Sequence, residues 1–389
     1  MGRVYKSLGE LGRIITGKTP KTDIADYWGG HVPFITPTDI NGYDSFFQGE
    51  TERYISAEGV KKQKATLLPP KSVCFSCIAS IGKSCLTRVC SITNQQINSI
   101  IPNKENDYRY LLYLLRYNLP YIQMVGGGSG SGTPIISKNK FAKFKFLVEG
   151  NLEAQHRIAS ILSTYDSLIE NNTKRIRLLE KMAENLYKEW FVRFRFPGHE
   201  NVEMENGLPK GWKRGSLSDV CEFKRGKNIT SSEMQEGNVP VISAGLEPSG
   251  YHSCSNVRGV NVTMSSSGAN AGYIAIHYSD IWAADCSYIE ESTTGNIYYV
   301  YELLNNIRTV INNFQRGAAQ PHVYPKDVNR IKLILPSKEL MLIANGRLEI
   351  MHKEIYNLQK QNSLLARQRD LLLPRLMSGK LEVKEELLE

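Results

Sequence analysis

Gly12-Arg13-Ile14-Ile15-Thr16-Gly17-Lys18-Thr19 has the spacing of a loop that cradles phosphates, with a Lys-Thr pair to meet a nucleotide and its magnesium. Such a loop must leave a buried strand and open a helix at its lysine. Here Pro20 and the polar Lys21-Thr22-Asp23 follow, and a second copy of the segment has Cys221 and Asn228 where Gly12 and Thr19 would stand. The run is therefore read as a basic turn with exposed backbone, of which both copies keep one pair, Gly17-Lys18 and Gly226-Lys227. Cys74, Cys77, Cys85 and Cys90 fall near zinc-ligand spacing. The second copy argues against a metal, because Val262-Thr263-Met264-Ser265-Ser266 replaces Val73-Cys74-Phe75-Ser76-Cys77, so the thiols are expected to be small buried residues of a strand. Cys221, Cys254 and Cys286 are scattered, as in a reducing compartment. There is no Asn/Asp-Pro-Pro-aromatic methylase signature, no His-Glu-x-x-His, no Gly-x-Ser-x-Gly and no carboxylate-lysine nuclease cluster, and the seven histidines are dispersed. The reading is a chain with no catalytic residue and no metal of its own.

What remains is the chemistry of contact with a polyanion. The net charge is +9, and it is uneven: residues 1–150 carry 19 Lys and Arg against 11 Asp and Glu, whereas residues 201–337 carry 12 against 13. Each cation set against a phosphate releases counterions, so the first domain can bind through its field and the second only through local clusters. The candidates in the first are Gly17, Lys18, Thr19 and Lys21 in the basic turn, with Lys83 and Lys143. The amides Gln95, Gln96 and Asn98 suit an adenine edge. Ser131 lies in a glycine run, residues 126–132, whose amides are suited to a phosphate. In the second domain the candidates are Arg225, Lys227, Asn228, Asn270, Arg316, Gln320 and Arg330.

Elements that could position two such sets are visible as an internal repeat. Ser7-Leu8-x-Glu10-Leu11-x-x-Ile14-x-x-Gly17-Lys18 aligns on Ser216-Leu217-x-Asp219-Val220-x-x-Phe223-x-x-Gly226-Lys227, and Val32-Pro33-Phe34-Ile35 on Val239-Pro240-Val241-Ile242. Steps of four and three from Ile158 give an unbroken coiled-coil stripe through Leu162, Tyr165, Ile169, Asn172, Ile176, Leu179, Ala183 and Leu186 to Trp190, apolar but for one amide. A second stripe, 186 residues on, runs from Ala344 to Leu376 and admits one basic residue, Arg369. The fold expected from the repeat is mixed α+β: two related domains, each followed by a long coiled-coil helix. Its parts are a first domain over 1–150, a helix over 151–197, a second domain over 198–337, a second helix over 338–380 and a frayed tail over 381–389. Within the first domain the pattern predicts a helix from Tyr108 to Tyr117, a loop over 126–132 and a strand over 141–148. Pro374 is expected to kink or shorten the second long helix.

Antiparallel alignment of the stripes pairs residues whose numbers sum to 534. Asn172 then faces Asn362 and Arg369 stacks on Tyr165, so these four residues would set the register.

Leu186-Tyr187-x-Glu189-Trp190-Phe191-Val192-x-Phe194-x-Phe196-Pro197-Gly198 and Leu372-Leu373-Pro374-Arg375-Leu376-x-Ser378-Gly379-x-Leu381 resemble the two repeated helical regions of the specificity subunits of type I restriction-modification enzymes. Leu208-Pro209-x-Gly211-Trp212 is similar to that family's entry into a recognition domain. The resemblance covers essentially the whole chain. It implies two target-recognition domains with curved sheets, held apart by two long antiparallel coiled-coil helices with pseudo-twofold symmetry, and double-stranded DNA as ligand, each domain reading one half of a bipartite asymmetric site. It also implies two modification subunits bringing S-adenosylmethionine and a restriction subunit bringing ATP-driven translocation, with no cofactor in this chain. The alternative class is a coiled-coil scaffold presenting two ligand-binding domains to something other than DNA. No apolar run reaches the roughly 18 residues of a membrane span, and a cytoplasmic location is expected.

Overall fold

A computed structural model of the chain describes residues 2–40, 46–126, 133–317 and 321–383. Ser131, Gln320, most of the glycine run and the last six residues of the expected tail lie outside them. The chain divides into two compact units, Met1–Asn172 with Gln361–Glu389, and Thr173–Lys360. Each unit is thus one sheet domain together with part of both long helices.

In the first unit β1 (Val4–Ser7) passes through a single helical turn, α1 (Leu8–Leu11), into β2 (Gly12–Thr16). Ser7 makes that turn by donating its amide and its hydroxyl to the Glu10 carboxylate, at 2.7 and 2.6 Å. There follow β3 (Trp28–Ile35), β4 (Arg53–Ile55), α2 (Ala57–Lys62), β5 (Val73–Ser76), β6 (Ser84–Leu86), β7 (Ile92–Thr93) and β8 (Ile97–Pro102). Helices α3 (Tyr108–Tyr117), α4 (Leu119–Gly126) and α5 (Lys138–Lys143) precede β9 (Lys145–Val148) and the first long helix, α6 (Leu152–Tyr187). The strands form sheets in the orders β2-β8-β5-β6, β4-β3-β7 and β1-β9. Helix α3 starts where the Asp107 carboxylate accepts the amides of Arg109 and Tyr110, and it buries Tyr110 through Leu115 against β5 and β8.

The second unit repeats this topology strand for strand. After a small hairpin of β10 (Met204–Glu205) and β11 (Leu208–Pro209) come β12 (Lys213–Ser216), β13 (Lys224–Arg225), β14 (Val239–Ile242), β15 (Gly250–His252), β16 (Asn261–Ser265), β17 (Ile274–His277), β18 (Trp282–Ala283) and β19 (Cys286–Glu290). Helices α7 (Glu291–Thr294), α8 (Ile297–Asn306), α9 (Arg308–Asn312) and α10 (Pro325–Val328) lead to β20 (Lys332–Leu335) and the second long helix, α11 (Lys338–Ser378). Its sheets are β13-β19-β16-β17, β15-β14-β18 and β12-β20. Even the parallel pairing recurs, Phe34 with Ile92 in one unit and Val241 with Trp282 in the other.

Three local expectations need correcting. Residues 141–148 are not one strand: Ser137 accepts the Lys140 amide and winds residues 138–143 into α5, so only 145–148 extend. The chain after α3 does not go straight into a loop, because Asn118 allows a second helix, α4, up to Gly126. Pro374 neither ends nor shortens α11, which runs on to Ser378; it lies in the last two turns, where it deprives only one carbonyl of its partner. Of the first four cysteines, Cys74, Cys77 and Cys85 are buried as expected, while Cys90 is exposed in the turn before β7. No group of His, Cys, Asp and Glu suited to a metal occurs among the described residues.

The long helices pair antiparallel in each unit. In the first, Ile158, Ala159 and Leu162 share a core with Leu376 and Met377. Asn172 Nδ2 donates to Gln361 Oε1 at 3.3 Å, one residue before Asn362, which is half-buried. The Arg369 guanidinium lies against Asp166 at 2.5 Å, not on the ring of Tyr165, one residue away. A buried cation is compensated far better by a carboxylate than by a ring quadrupole, and the sequence pattern had looked only at the stripe itself. In the second unit Ala183 and Trp190 pack with Ala344 and Leu348, Arg175 pairs with Glu354 at 2.7 Å, and Arg347 covers the Trp190 ring at 5.0 Å.

A buried polar bridge ties each sheet domain to its helices. In the first unit Tyr113 of α3 donates to Asp166 of α6 at 2.5 Å, with Arg116 beside the same carboxylate at 3.4 Å. In the second the repeat-equivalent positions hold the reverse arrangement: Glu302 of α8 carries the carboxylate and His352 of α11 meets it at 3.1 Å, while Tyr278 bonds the other ring nitrogen at 2.9 Å.

Candidate nucleic-acid interface

Backbone at the end of β2 is pinned by its neighbours. The Gly17 amide donates to Ile97 O at 3.1 Å, and a Cβ on Gly17 would stand 2.2 Å from the carbonyl oxygens of Thr93 and Asn94. Only glycine lets this turn lie flat on the β7–β8 connection, and the next residue, Lys18, is exposed. Across from it, Asn94 folds that connection by accepting the Gln96 amide at 3.0 Å and donating to Gln96 Oε1 at 2.9 Å. This leaves Gln95 exposed at the tip, where it accepts the Thr19 hydroxyl at 2.7 Å.

The structure therefore brings Gly17, Lys18, Thr19 and Gln95 together and sorts the amides. Gln96 is half-buried and occupied by the turn. Asn98 is 2% exposed and bridges Thr16 Oγ1 to Ile136 O, a structural role rather than a reading one. Lys83 donates to Pro37 O at 3.0 Å, holding the loop after β3. Lys21 is exposed, and its carbonyl receives the Trp28 indole, whose ring carries Arg53 at 3.4 Å. Lys143 stands elsewhere, at the end of α5 where the Leu8 amide bonds Phe144 O, the opposite end of β2 from Gly17.

The second unit builds the same end with other residues. Gly226 donates to Cys286 O at 2.9 Å and Lys227 to Ala283 O at 2.9 Å, and a Cβ on Gly226 would come within 2.4 Å of Ala284 O. Lys227 and Asn228 are exposed. The β18–β19 connection is Ala284-Asp285, and Asp285 pairs with Arg225 at 3.1 Å and accepts the Ser267 hydroxyl at 2.5 Å. Asn270 reaches Ala244 O, in the loop after β14, at 3.4 Å. The Arg316 backbone exchanges hydrogen bonds with His322, which is bridged to Ser267, and its side chain is exposed beside Asp327 at 3.0 Å. Arg330, like its counterpart Lys143, lies at the other end, between α10 and β20.

Sequence reasoning missed Asp285 and Ser267, because it searched a basic face for cations and amides. The signal was available in the repeat, since Asp285 follows the strand that answers β7 and so occupies the place of Gln95.

Behind the loop after β14 is a cavity of about 190 Å³ lined by Ile242, Ser243, Leu246, Thr263, Tyr273 and His277. Burial pushes the His277 imidazole down to about 4, and its Nε2 lies 2.8 Å from Thr263 Oγ1. The unfolded chain, with histidine near 6.5, binds this proton more readily than the folded one. The stability due to the neutral ring is therefore complete above pH 6.5 and is lost as pH falls towards 4. Thermal melts of His277→Gln should lose less stability than wild type between pH 7 and pH 5; equal losses would contradict this account.

Two copies of one sheet domain, each presenting a glycine-pinned basic turn beside an exposed polar tip and each built onto an antiparallel helix pair, define a two-headed recognition protein. Residues 3–181 and 209–361 match the family model described as "Type I restriction modification DNA specificity domain", and the chain belongs to that family. It is 27% identical to the Type I restriction enzyme MjaIX specificity subunit of Methanocaldococcus jannaschii, over 98% of this chain and 94% of that one. It is 32% identical to the HindI specificity subunit of Haemophilus influenzae over 46% of this chain and 39% of the other. In fold it is similar to the crystal structure of a type I restriction-modification S subunit from M. genitalium, with a TM-score of 0.65 at 18% identity, covering 97% and 96% of the two chains. As a specificity subunit it is non-catalytic, and its partners are DNA and the methylase and restriction subunits that carry the catalysis. No described helix is long and apolar enough to cross a membrane.

Proposed function

We propose that the loop end of each unit reads one half of a bipartite, asymmetric DNA site. The observation that carries this is the recurrence of one scaffold with unlike side chains at its tip, Thr19 with Gln95 in one unit and Arg225 with Asp285 in the other. An identical frame with different hydrogen-bonding groups is what two different half-sites require. Lys18 and Lys227 supply phosphate contacts, and the exposed tips address base edges. The continuous helices α6 and α11 set the gap between half-sites and dock two methyltransferase subunits, with a restriction subunit joining that complex. On this reading the chain works in the cytoplasm, and its seven free cysteines support a reducing compartment.

Inserting one heptad into both helices adds about 10 Å, or about three base pairs. Methylation mapping of the assembled enzyme should return the same half-sites with a longer gap. Unchanged spacing, or altered half-sites, would show that the helices are not the ruler. Binding that did not weaken steeply between low and moderate salt would favour a scaffold for some other ligand.

A further inference from the structure

We propose that Asp285 is a specificity-determining acceptor that selects, in the second half-site, a base presenting an exocyclic amine in the major groove, cytosine through N4 or adenine through N6. The inference rests on the reading of both loop ends as DNA-contacting.

Asp285 forms the tip of the β18–β19 connection beside the Gly226-Lys227 turn, and about a third of its side chain is exposed. Its orientation is fixed at both oxygens: Oδ1 faces the Arg225 guanidinium at 3.1 Å, and Oδ2 accepts the Ser267 hydroxyl at 2.5 Å. Each oxygen keeps a second lone pair, so the group is a pre-oriented acceptor that has nothing to donate. A carboxylate near DNA is normally repelled by phosphate. Here Arg225 neutralises it, and Lys227 supplies the positive charge for the backbone.

The corresponding tip in the first unit has the opposite polarity. The Gln95 Oε1 is engaged by Thr19, and its amide nitrogen has no protein partner among the described residues, so it is left as an outward donor. Donors meet guanine N7 and O6 or thymine O4, whereas a carboxylate is matched by the amines of cytosine and adenine and repelled by guanine and thymine acceptors. The two units therefore differ in hydrogen-bond polarity at one equivalent position.

The test uses the full chain and its target duplex, identified by methylation mapping of the assembled enzyme. Every position of both half-sites is replaced in turn by the other three base pairs, and binding is compared for wild type, Asp285→Asn and Asp285→Ala. Wild type should lose roughly 10-fold to 100-fold at one second-half position when its cytosine or adenine is replaced, and the identity of that base tells the two amines apart. Asp285→Ala should level that position alone, and the near-isosteric Asp285→Asn, which keeps the shape of the tip, should admit guanine or thymine there. Full discrimination in both variants overturns the assignment, as does a uniform loss over all sequences, which would make Asp285 only a partner for Arg225. If the first half-site still discriminates while Asp285 has no effect, only this assignment falls. If neither half-site discriminates, the reading of the loop ends as DNA-contacting falls with it.

Discussion

Asp166→Ala should destabilise the first unit by about 3–5 kcal/mol, the largest single-residue effect expected anywhere in the chain. Asp166 and Arg369 are each 3% exposed and lie 2.5 Å apart, and the same carboxylate also takes the Tyr113 hydroxyl and stands beside Arg116. Burial, with the Asp166 charge next in importance, drives the Tyr113 hydroxyl far above the usual phenol range, so it stays a donor. Removing the carboxylate takes the buried charge partner away from Arg369, whereas Asp370, at 2.9 Å, lies on the exposed side. Replacing both partners by leucine removes the charges along with their desolvation cost. Asp166→Leu with Arg369→Leu should therefore be clearly more stable than either single variant. Chemical unfolding of the three variants measures this, and strictly additive losses would mean that the two side chains do not act as a pair.

Gly17→Ala should reduce discrimination at the first half-site at least tenfold and leave the second untouched; Gly226→Ala should do the converse. The added methyl would meet backbone oxygens at 2.2 Å in one unit and 2.4 Å in the other, and backbone cannot swing aside as a side chain can. Overpacking of this kind costs about 1–3 kcal/mol, and the cheapest relief is to lift the Gly-Lys turn off its neighbouring connection. That displaces Lys18 and breaks the Thr19–Gln95 bond together. Lys18→Ala is the control, since losing a phosphate contact should weaken binding to all sequences alike and reduce the salt slope. Binding to duplexes with one half-site scrambled decides the matter. A Gly17→Ala protein that lost affinity equally for both half-sites would place the turn outside the reading surface.

The repeat and the two helical stripes were legible in the sequence because each leaves a periodic trace. The gapless match around Gly17 and Gly226 and the 186-residue offset between stripes foretold a topology that recurs strand for strand. The sequence also picked out Gly17-Lys18 and Gln95, which the structure places side by side. It could not separate Gln95 from Asn98, because the run of amides does not mark where the turn ends and the strand begins: Gln95 stands on the tip of the β7–β8 connection, whereas Asn98 lies within β8 and is turned into the interior. It misplaced the partner of Arg369 for a related reason. A stripe read along one face contains Tyr165, while Asp166 is drawn into the seam by groups on α3, far away in sequence. Asp285 escaped because its meaning lies in its being the counterpart of an amide.

The reversed bridges have a consequence for how such chains can be reassembled by recombination. Two halves with the same frame are natural exchange partners, yet their fastenings are keyed. A crossover between α3 and α6 that moved the second sheet domain onto the first helix segment would bring Glu302 against Asp166, two buried carboxylates, with Asn305 in place of the cation Arg116. The reciprocal product would set Tyr113 and the buried cation Arg116 against His352, in the place where both had met the Asp166 carboxylate. Inheritance of recognition should therefore be coupled: each sheet domain has to carry its own stretch of helix with it.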